Sequence, residues 1–226
     1  MPIYRLTKRL AFPPPELAED GLLAVGGDLS VRRLLLAYQN GIFPWYDEND
    51  PILWWSPDPR MVFFPAQWRP SRRLARTVRL DRFRVTADTA FAEVIRACAE
   101  TPRSHEKGTW ILPQMIDAYI ALHEEGYAHS FECWEGEQLA GGVYGVSIGA
   151  CFFGESMFHR STDASKVAFA TLVECCRAWG FRLVDAQLPN PHLERLGGVT
   201  LPRAEFLALL RDAVKVPTRR GTWVIQ

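Results

Sequence analysis

The sequence lacks the features that mark several classes of protein. Its five cysteines are an odd number, and only Cys175 and Cys176 lie close together, so no disulfide framework is predicted and a reducing compartment is expected. Lysine plus arginine and aspartate plus glutamate number 26 each, which implies no long-range attraction to nucleic acid or acidic lipid. The N-terminus has no apolar signal-peptide core. The longest charge-free stretch, Gln138 to Gly154, is too short and glycine-rich for a membrane span. A cytoplasmic protein is expected.

Two kinds of catalytic site also lack their sequence signals. The five histidines form no H-E-x-x-H motif, and the adjacent cysteines lack ligand spacing, so no metal is predicted. Gly145 to Gly149 matches the G-x-S-x-G string of hydrolases, but a nucleophile elbow needs a strand, a sharp turn and then a helix. Here a second apolar strand follows, so Ser147 is expected at a hairpin and not as a nucleophile.

What the chain does have is enough length and hydrophobicity for a folded core. It contains 226 residues, of which 48% are hydrophobic and 23% charged. Ser30 precedes a predicted helix that ends at Gly41. The apolar runs ILWW and MVFF flank SPDPR and are predicted to pair as strands. We place a domain boundary at Pro65, between a small domain of residues 1–65 and a larger one of residues 66–226.

Beyond Pro65 the pattern predicts a short helix, a strand, two helices, three strands, a helix, a strand and a last helix. This order predicts an α+β fold with a mixed sheet flanked by helices. It matches the chain order of the N-acetyltransferase (GNAT) fold, which is a fold-level analogy only. An acetyl-CoA enzyme needs a glycine-rich turn for the pyrophosphate, and the corresponding FHRSTDASK has no glycine. A different acyl donor is therefore expected.

Arginine and tryptophan give two signals that remain open at this point. Seven arginines lie between residues 69 and 84, and a helix would place Arg72, Arg73 and Arg76 on one face with Arg69. A solvated helix face and a phosphate-binding patch fit this pattern equally well. Two tryptophans in loops, Trp45 and Trp110, could stack on bases or pack between domains.

The segment FRLVDAQ is the most informative part of the chain. It predicts a buried strand on which Asp185 and Gln187 project to the same face. Polar side chains on an apolar strand must find partners or face a cavity. Glu155, which follows ACFFG, raises the same question. The three residues are either satisfied structural groups or parts of a site.

Longer strings identify a family. The sequence strongly resembles the leucyl/phenylalanyl-tRNA–protein transferases, the bacterial aminoacyl-tRNA–protein transferase family. The matching strings follow the family order and spacing across nearly the whole chain: GLLAVGGDLS (21–30), LLLAYQNGIFPW (34–45), PILWWSPDPRMVFFP (51–65), GTWI (108–111), GGVYGV (141–146), FGESMF (153–158), ASK (164–166) and DAQLPNPHLERLGG (185–198). The resemblance implies a small N-terminal α/β domain joined to a GNAT-like C-terminal domain. It also implies transfer of Leu, Phe or Met from tRNA to the N-terminal Arg or Lys of a protein, which is then degraded by the N-degron route.

The resemblance also assigns residues to the site. For the adenosine and aminoacyl end of tRNA they are Trp45, Trp110, Tyr38, Phe152 and Asn190. The pocket for the amino-acid side chain is Val143, Met157, Leu172 and Val184. The polar catalytic centre is Glu155, Asp185 and Gln187. The candidate patch for tRNA phosphates, Arg72, Arg73 and Arg76, rests on the arginine spacing alone and not on the resemblance. Two residues depart from the family pattern: Leu172 stands where an aromatic side chain can line the pocket, and Arg195 where a small residue is usual.

An aminoacyl ester is already activated, so no ATP, metal or other cofactor is expected. The nucleophile would be an α-amine with a pKa of about 7.7–8.0, which needs a positioned acceptor more than a strong base. The hypothesis is that Gln187 accepts a hydrogen bond from the amine and that Asp185 orients Gln187. Two alternatives are an acyl-CoA N-acetyltransferase and a tRNA-binding module without catalysis. The missing glycine turn argues against the first, and the Asp-x-Gln pair against the second.

Overall fold

The computed structural model describes residues 3–101 and 110–225. The strands in these ranges are β1 (Tyr4–Leu6), β2 (Leu22–Gly26), β3 (Phe43–Pro44), β4 (Leu53–Trp55), β5 (Arg60–Phe63), β6 (Arg84–Ala87), β7 (Ala128–Glu135), β8 (Gln138–Ile148), β9 (Cys151–His159), β10 (Leu183–Asp185) and β11 (Val199–Leu201). The α-helices are α1 (Val31–Gln39), α2 (Arg72–Arg79), α3 (Phe91–Glu100), α4 (Pro113–Glu124), α5 (Ala164–Ala178), α6 (Pro191–Arg195) and α7 (Arg203–Ala213). Within these ranges, no helix combines the length and the apolar character needed to cross a membrane.

The strands form two sheets. The small sheet has the order β1-β2-β4-β3, and the large sheet has the order β11-β5-β10-β9-β8-β7-β6. The strands β6 to β9 pair antiparallel in sequence, whereas β10 returns parallel to β9. A parallel return needs a crossover, and α5 supplies it. The predicted α+β class with a mixed sheet is confirmed.

The large sheet carries helices on both faces. Along β8, Tyr144 and Val146 belong to the core that includes residues of α1, α3 and α4. Val143, which points the opposite way, belongs to the core that includes α5. Both faces are covered, which explains why the central strands are continuous apolar runs.

The predicted pairing of ILWW with MVFF is wrong. β4 pairs with β2 and β3 in the small sheet, whereas β5 pairs with β10 and β11 in the large one. All four residues of β5 are buried, which is typical of a central strand and not of one arm of an exposed hairpin. As a result β5 carries Arg60 into the large sheet, next to Asp185.

Most helices begin and end where the sequence predicts. Ser30 precedes α1, and Gly41 follows it with φ +71°, a left-handed conformation that favours glycine. In α2 the cap is Ser71, whose Oγ accepts a hydrogen bond from the Leu74 N–H at 3.2 Å. Pro70 lies just before this cap. The short elements α6 and β11 were not predicted, because five and three residues are too few to show a period.

Candidate active site

A cavity of about 1200 Å³ lies against β9, the first turn of α5 and the segment that follows β10. It brings together ten of the predicted site residues: Trp45, Arg73, Trp110, Val143, Glu155, Met157, Val184, Asp185, Gln187 and Asn190. The parallel register of β10 and β9 places Asp185 opposite Phe153. The chain then leaves the strand, and Gln187 in its left-handed conformation brings its Nε2 to 3.2 Å from Glu155 Oε1.

Glu155 is the hub of this polar centre. Its Oε1 accepts hydrogen bonds from the Tyr38 hydroxyl at 2.7 Å and from Gln187 Nε2 at 3.2 Å. Its Oε2 accepts one from the Tyr119 hydroxyl at 3.0 Å. The two tyrosine hydroxyls also hydrogen-bond to each other. Tyr38 and Tyr119 are completely buried, so they support the carboxyl group from behind while Glu155 lines the cavity.

The number of hydroxyl protons on Tyr38 and Tyr119 limits how many hydrogen bonds these residues can form with each other and with Glu155. Glu155, Tyr38 and Tyr119 make three mutual contacts, but two hydroxyl protons can fill only two of them. A proton on Glu155 Oε2 supplies the third and closes a ring that runs through Tyr119 and Tyr38 back to Oε1. This arrangement can therefore accommodate one proton on Glu155.

The electrostatics agree with this reading. Burial raises the pKa of Glu155 from its ordinary value of 4.5 to about 7, against the opposing effect of the hydrogen bonds from Tyr38 and Tyr119. The nearby Asp185 charge raises the pKa further, and Arg60 lowers it. A carboxyl group that titrates near neutrality can accept a proton and release it again.

Asp185 is fully buried in an ion pair. Arg60 Nε and Nη2 donate to its two carboxylate oxygens at 2.8 and 2.6 Å, and both side chains are at most 1% exposed. The third guanidinium nitrogen donates to the Gly41 carbonyl at 3.1 Å, and the group packs over the rings of Phe43 and Phe206. This bidentate pair connects β5 to β10 through side chains as well as through backbone pairing.

Gln187 does not have the strand conformation that the sequence predicts for it. β10 ends at Asp185, and Gln187 has φ +54°, so the alternation of a strand does not extend to it. Asp185 Oδ1 accepts the Gln187 backbone N–H at 3.0 Å, and the side-chain amide of Gln187 points to Glu155. Asp185 therefore contacts the backbone of Gln187, whereas Glu155 contacts its side chain. That Asp185 orients Gln187 for catalysis stays a prediction.

Trp45 and Trp110 are half-buried and line the same cavity. Trp45 packs against Trp55 with ring centroids 5.5 Å apart, and its carbonyl accepts the Trp55 indole N–H at 2.6 Å. These contacts fix the position of Trp45 while leaving part of its ring exposed. Of the string GTWI, residues 108 and 109 lie outside the described residues.

Three of the four residues predicted to form the side-chain pocket line the cavity, and their role in binding stays a prediction. Val143 and Met157 are direct partners across β8 and β9, and Val184 lies on β10. Leu172 is completely buried and lies outside the cavity lining. Phe169, one turn earlier on α5, lines the cavity instead, so an aromatic side chain is supplied from a different position.

The remaining predicted residues occupy distinct places. Asn190 caps α6, its Oδ1 accepting the N–H groups of His192 and Leu193 at 3.0 and 2.9 Å. Arg195, the last residue of α6, is exposed at the cavity edge, so the turn that carries Asn190 forms with it present. Phe152 is completely buried and packs 6.0 Å from Trp223, outside the lining. Its contact with adenosine stays a prediction.

Sequence reasoning missed two members of the centre. The sequence does not predict Arg60 as part of the centre, because SPDPR has the composition of a turn. Tyr119 was hidden because it lies in an ordinary apolar helix, where it is indistinguishable from core. Ser147 behaves as predicted: it is buried in β8, and Gly149 turns the chain into β9 with no helix following. Among the described residues, no three His, Cys, Asp or Glu side chains converge as a metal site would require.

The arginine stripe lies on α2. Arg72, Arg73 and Arg76 are exposed, and Arg73 approaches Asp163 at 3.5 Å while remaining 80% exposed.

If these three arginines contact phosphates, changing all of them to alanine should weaken tRNA binding. The slope of the logarithm of the tRNA binding constant against the logarithm of the salt concentration should fall by about one unit per lost contact. Filter binding of tRNA from 50 to 200 mM salt measures the slope. Arg211→Ala on α7 is the control, and an unchanged slope would make the stripe a solvated face.

Comparison with known proteins places the chain in a family. A leucyl/phenylalanyl-tRNA protein transferase model matches residues 62–211, and the model of the N-terminal domain of these proteins matches residues 27–58. A leucyl/phenylalanyl-tRNA–protein transferase of Anaeromyxobacter sp. (strain Fw109-5) is 60% identical, covering 99% of this chain and 95% of that protein. One from Desulfatibacillum aliphaticivorans is 52% identical over 100% and 97%. The solved structure of L-PGS from Bacillus licheniformis matches with a TM-score of 0.40 and 10% identity, covering 86% of this chain and 71% of that one. The chain belongs to the leucyl/phenylalanyl-tRNA–protein transferase family and is an aminoacyltransferase.

Proposed function

We propose that the protein transfers Leu, Phe or Met from aminoacyl-tRNA to the N-terminal Arg or Lys of acceptor proteins, and so marks them for the N-degron route in the cytoplasm. The observation that carries the proposal is the position of Glu155 and Gln187 in one cavity with Trp45 and an apolar pocket. We further propose that residues 66–226 form a GNAT-like domain joined to a small domain of residues 1–65, and that no metal or cofactor takes part.

The reaction replaces one acyl bond by another. The α-amine of the acceptor attacks the ester carbonyl carbon, a C–N bond forms, and the bond to the ribose oxygen breaks. Gln187 Oε1 accepts a hydrogen bond from the attacking amine, because the Nε2 of the same amide is engaged with Glu155. Glu155 takes the amine proton, closing the ring with Tyr119 and Tyr38, and returns it to the departing ribose oxygen.

The other groups position the reactants. Trp45 and Trp110 stack on the terminal adenosine, and Val143, Met157, Val184 and Phe169 surround the apolar side chain of the donor. Asp185 is a positioning residue, since Arg60 occupies its oxygens and its remaining contact is with the Gln187 backbone. Positioning of two reactants in this way accounts for a large part of the rate of such reactions.

Transfer of label tests the proposal. Leu-tRNA carrying radioactive leucine is incubated with the enzyme and a protein whose first residue is Arg, and acid-stable label in protein is counted. We expect transfer to N-terminal Arg or Lys and none to the same protein beginning with Gly. Retention of tRNA without transfer would indicate a binding module, and protection by acetyl-CoA in a thermal shift assay would indicate an acetyltransferase.

A further inference from the structure

One end of the cavity is rich in positive charge. Lys166, Arg73 and Arg195 line it, and Asp163 is the carboxylate among them. Lys166 Nζ lies 2.6 Å from Asp163 Oδ1, and Arg73 lies 3.5 Å from its Oδ2. Three permanent cations against one anion leave a local excess of positive charge in a chain whose net charge is zero. This favours an anionic ligand at this end of the cavity.

The pKa of a neighbouring histidine is lowered by burial and by the positive charges at this end of the cavity. His192 is half-buried and lines the cavity. Burial lowers its pKa, and the positive charges of Lys166, Arg195 and His159 lower it further. The cations of α5 and α6 therefore act on the same space, although they belong to different elements.

The first turn of α5 adds hydrogen-bond donors. The cap residue Asp163 has φ +69°, and its carboxylate caps none of the backbone N–H groups of this fifteen-residue helix. Ser165 is 5% exposed and lines the cavity, and within the described residues its hydroxyl has no hydrogen-bond partner. A hydroxyl that opens into the cavity from a nearly buried side chain, beside the N-terminus of a long helix, is suited to a phosphate oxygen.

Strand register places this end relative to Glu155. His159 pairs with Gly141, and a Cβ on Gly141 would lie 2.9 Å from the Ser165 backbone nitrogen. The start of α5 therefore lies at the His159 end of β9, four residues from Glu155, which corresponds to about 13 Å along a strand. That span leaves room for a ribose and a phosphate between the reacting ester and the cations.

We infer that Lys166, Ser165 and the first turn of α5 bind a phosphate group, with Arg73 and Arg195 adding charge. Resting on the proposed function, the group is the 5′-phosphate that joins the terminal adenosine of the donor tRNA to the preceding nucleotide. This site shares Arg73 with the stripe on α2, whereas Arg72 and Arg76 lie outside the cavity lining. Asp163 holds Lys166 in place before binding, so little side-chain freedom is lost when the phosphate arrives.

Binding of adenosine and of adenosine 5′-monophosphate, measured by calorimetry, tests the inference without requiring transfer. The wild type should bind the monophosphate about tenfold or more tightly than adenosine, as expected for hydrogen bonds to a charged group. Lys166→Met should reduce this ratio toward one and leave adenosine affinity unchanged. The matched control is Lys215→Met, because Lys215 also pairs with an aspartate three residues earlier, at 2.8 Å, and lies outside the cavity lining.

Each outcome has a defined meaning. Equal affinity of the wild type for the two ligands, or an undiminished ratio in Lys166→Met, would overturn the site. If Lys215→Met lost the preference for the monophosphate to the same extent, the preference would depend on the net charge of the protein alone, and the phosphate site would also be overturned. Inorganic phosphate should compete with the monophosphate in the wild type, and competition that persists in Lys166→Met would place the ion elsewhere. A preserved preference for the monophosphate together with absent leucine transfer would refute only the proposed function.

Discussion

Glu155→Gln should remove most of the transfer activity and, above pH 7, raise the melting temperature. Glutamine keeps the size, its amide oxygen can accept from Tyr38 and its NH2 can donate to the Tyr119 oxygen, as the protonated carboxyl group would, but it cannot take the amine proton. Loss of a general base lowers the rate by about 10²- to 10⁴-fold. Single-turnover transfer from Leu-tRNA measures this effect separately from tRNA binding, which should persist because Trp45 and the α5 site are intact.

The stability effect follows from the raised pKa. Because the pKa of Glu155 rises from 4.5 to about 7 on folding, the folded state holds this proton more firmly than the unfolded state. The free energy of unfolding therefore falls as pH rises from about 4.5 to about 7 and stays lower above that range. The neutral glutamine has no such dependence, so the variant should melt like the wild type near pH 4.5 and higher than the wild type at pH 8.

The pH dependence of transfer gives a second readout. Wild-type activity should rise through about pH 7 as Glu155 ionises, while the residual activity of the variant should follow only the acceptor amine. Glu137→Gln, in the exposed turn between β7 and β8, is the control for loss of one carboxylate. A variant that melts lower at pH 8 and loses activity in proportion would show that Glu155 is structural.

The regular parts of the chain could be predicted, and the partners of its strands could not. The helices α1, α4 and α5 have clear periods and are followed by glycine, so local signals suffice. The pairing of β5 with β10 joins Arg60 and Asp185, which are 125 positions apart. Nothing local in SPDPRMVFF distinguishes a central strand of the large sheet from one arm of a hairpin.

The same limit applies to the site. The strand pattern marks Glu155, Asp185 and Gln187 as polar groups next to apolar strands, and only the family resemblance predicts that they form one centre. The sequence does not predict the separate contacts of the three residues, because these depend on where β10 ends, at Asp185, and on the left-handed conformation of Gln187. The two carboxylates differ because Asp185 has a buried cation as its partner, whereas Glu155 has two neutral hydroxyls.

Asp185→Ala is therefore expected to destabilise the protein, in contrast to Gln187→Ala. Removing Asp185 leaves the Arg60 guanidinium buried without its counter-ion, a loss of about 3–5 kcal/mol. For a chain of this size the melting temperature should fall by roughly 6–20 °C. Gln187→Ala removes a side chain that lines the cavity and leaves the ion pair intact, so it should abolish transfer at a nearly unchanged melting temperature.

A compensated variant separates the ion pair from catalysis. Arg60→Met combined with Asp185→Leu removes both charges, and replacing a buried pair by apolar groups is often neutral for stability. The double variant should recover most of the melting temperature lost in Asp185→Ala but little of the transfer activity, because the Gln187 backbone N–H still lacks its acceptor. If transfer returned in full with stability, Asp185 would serve the fold alone. If Asp185→Ala melted like the wild type, Arg60 would have found another partner, and the buried pair would not be what connects β5 to β10.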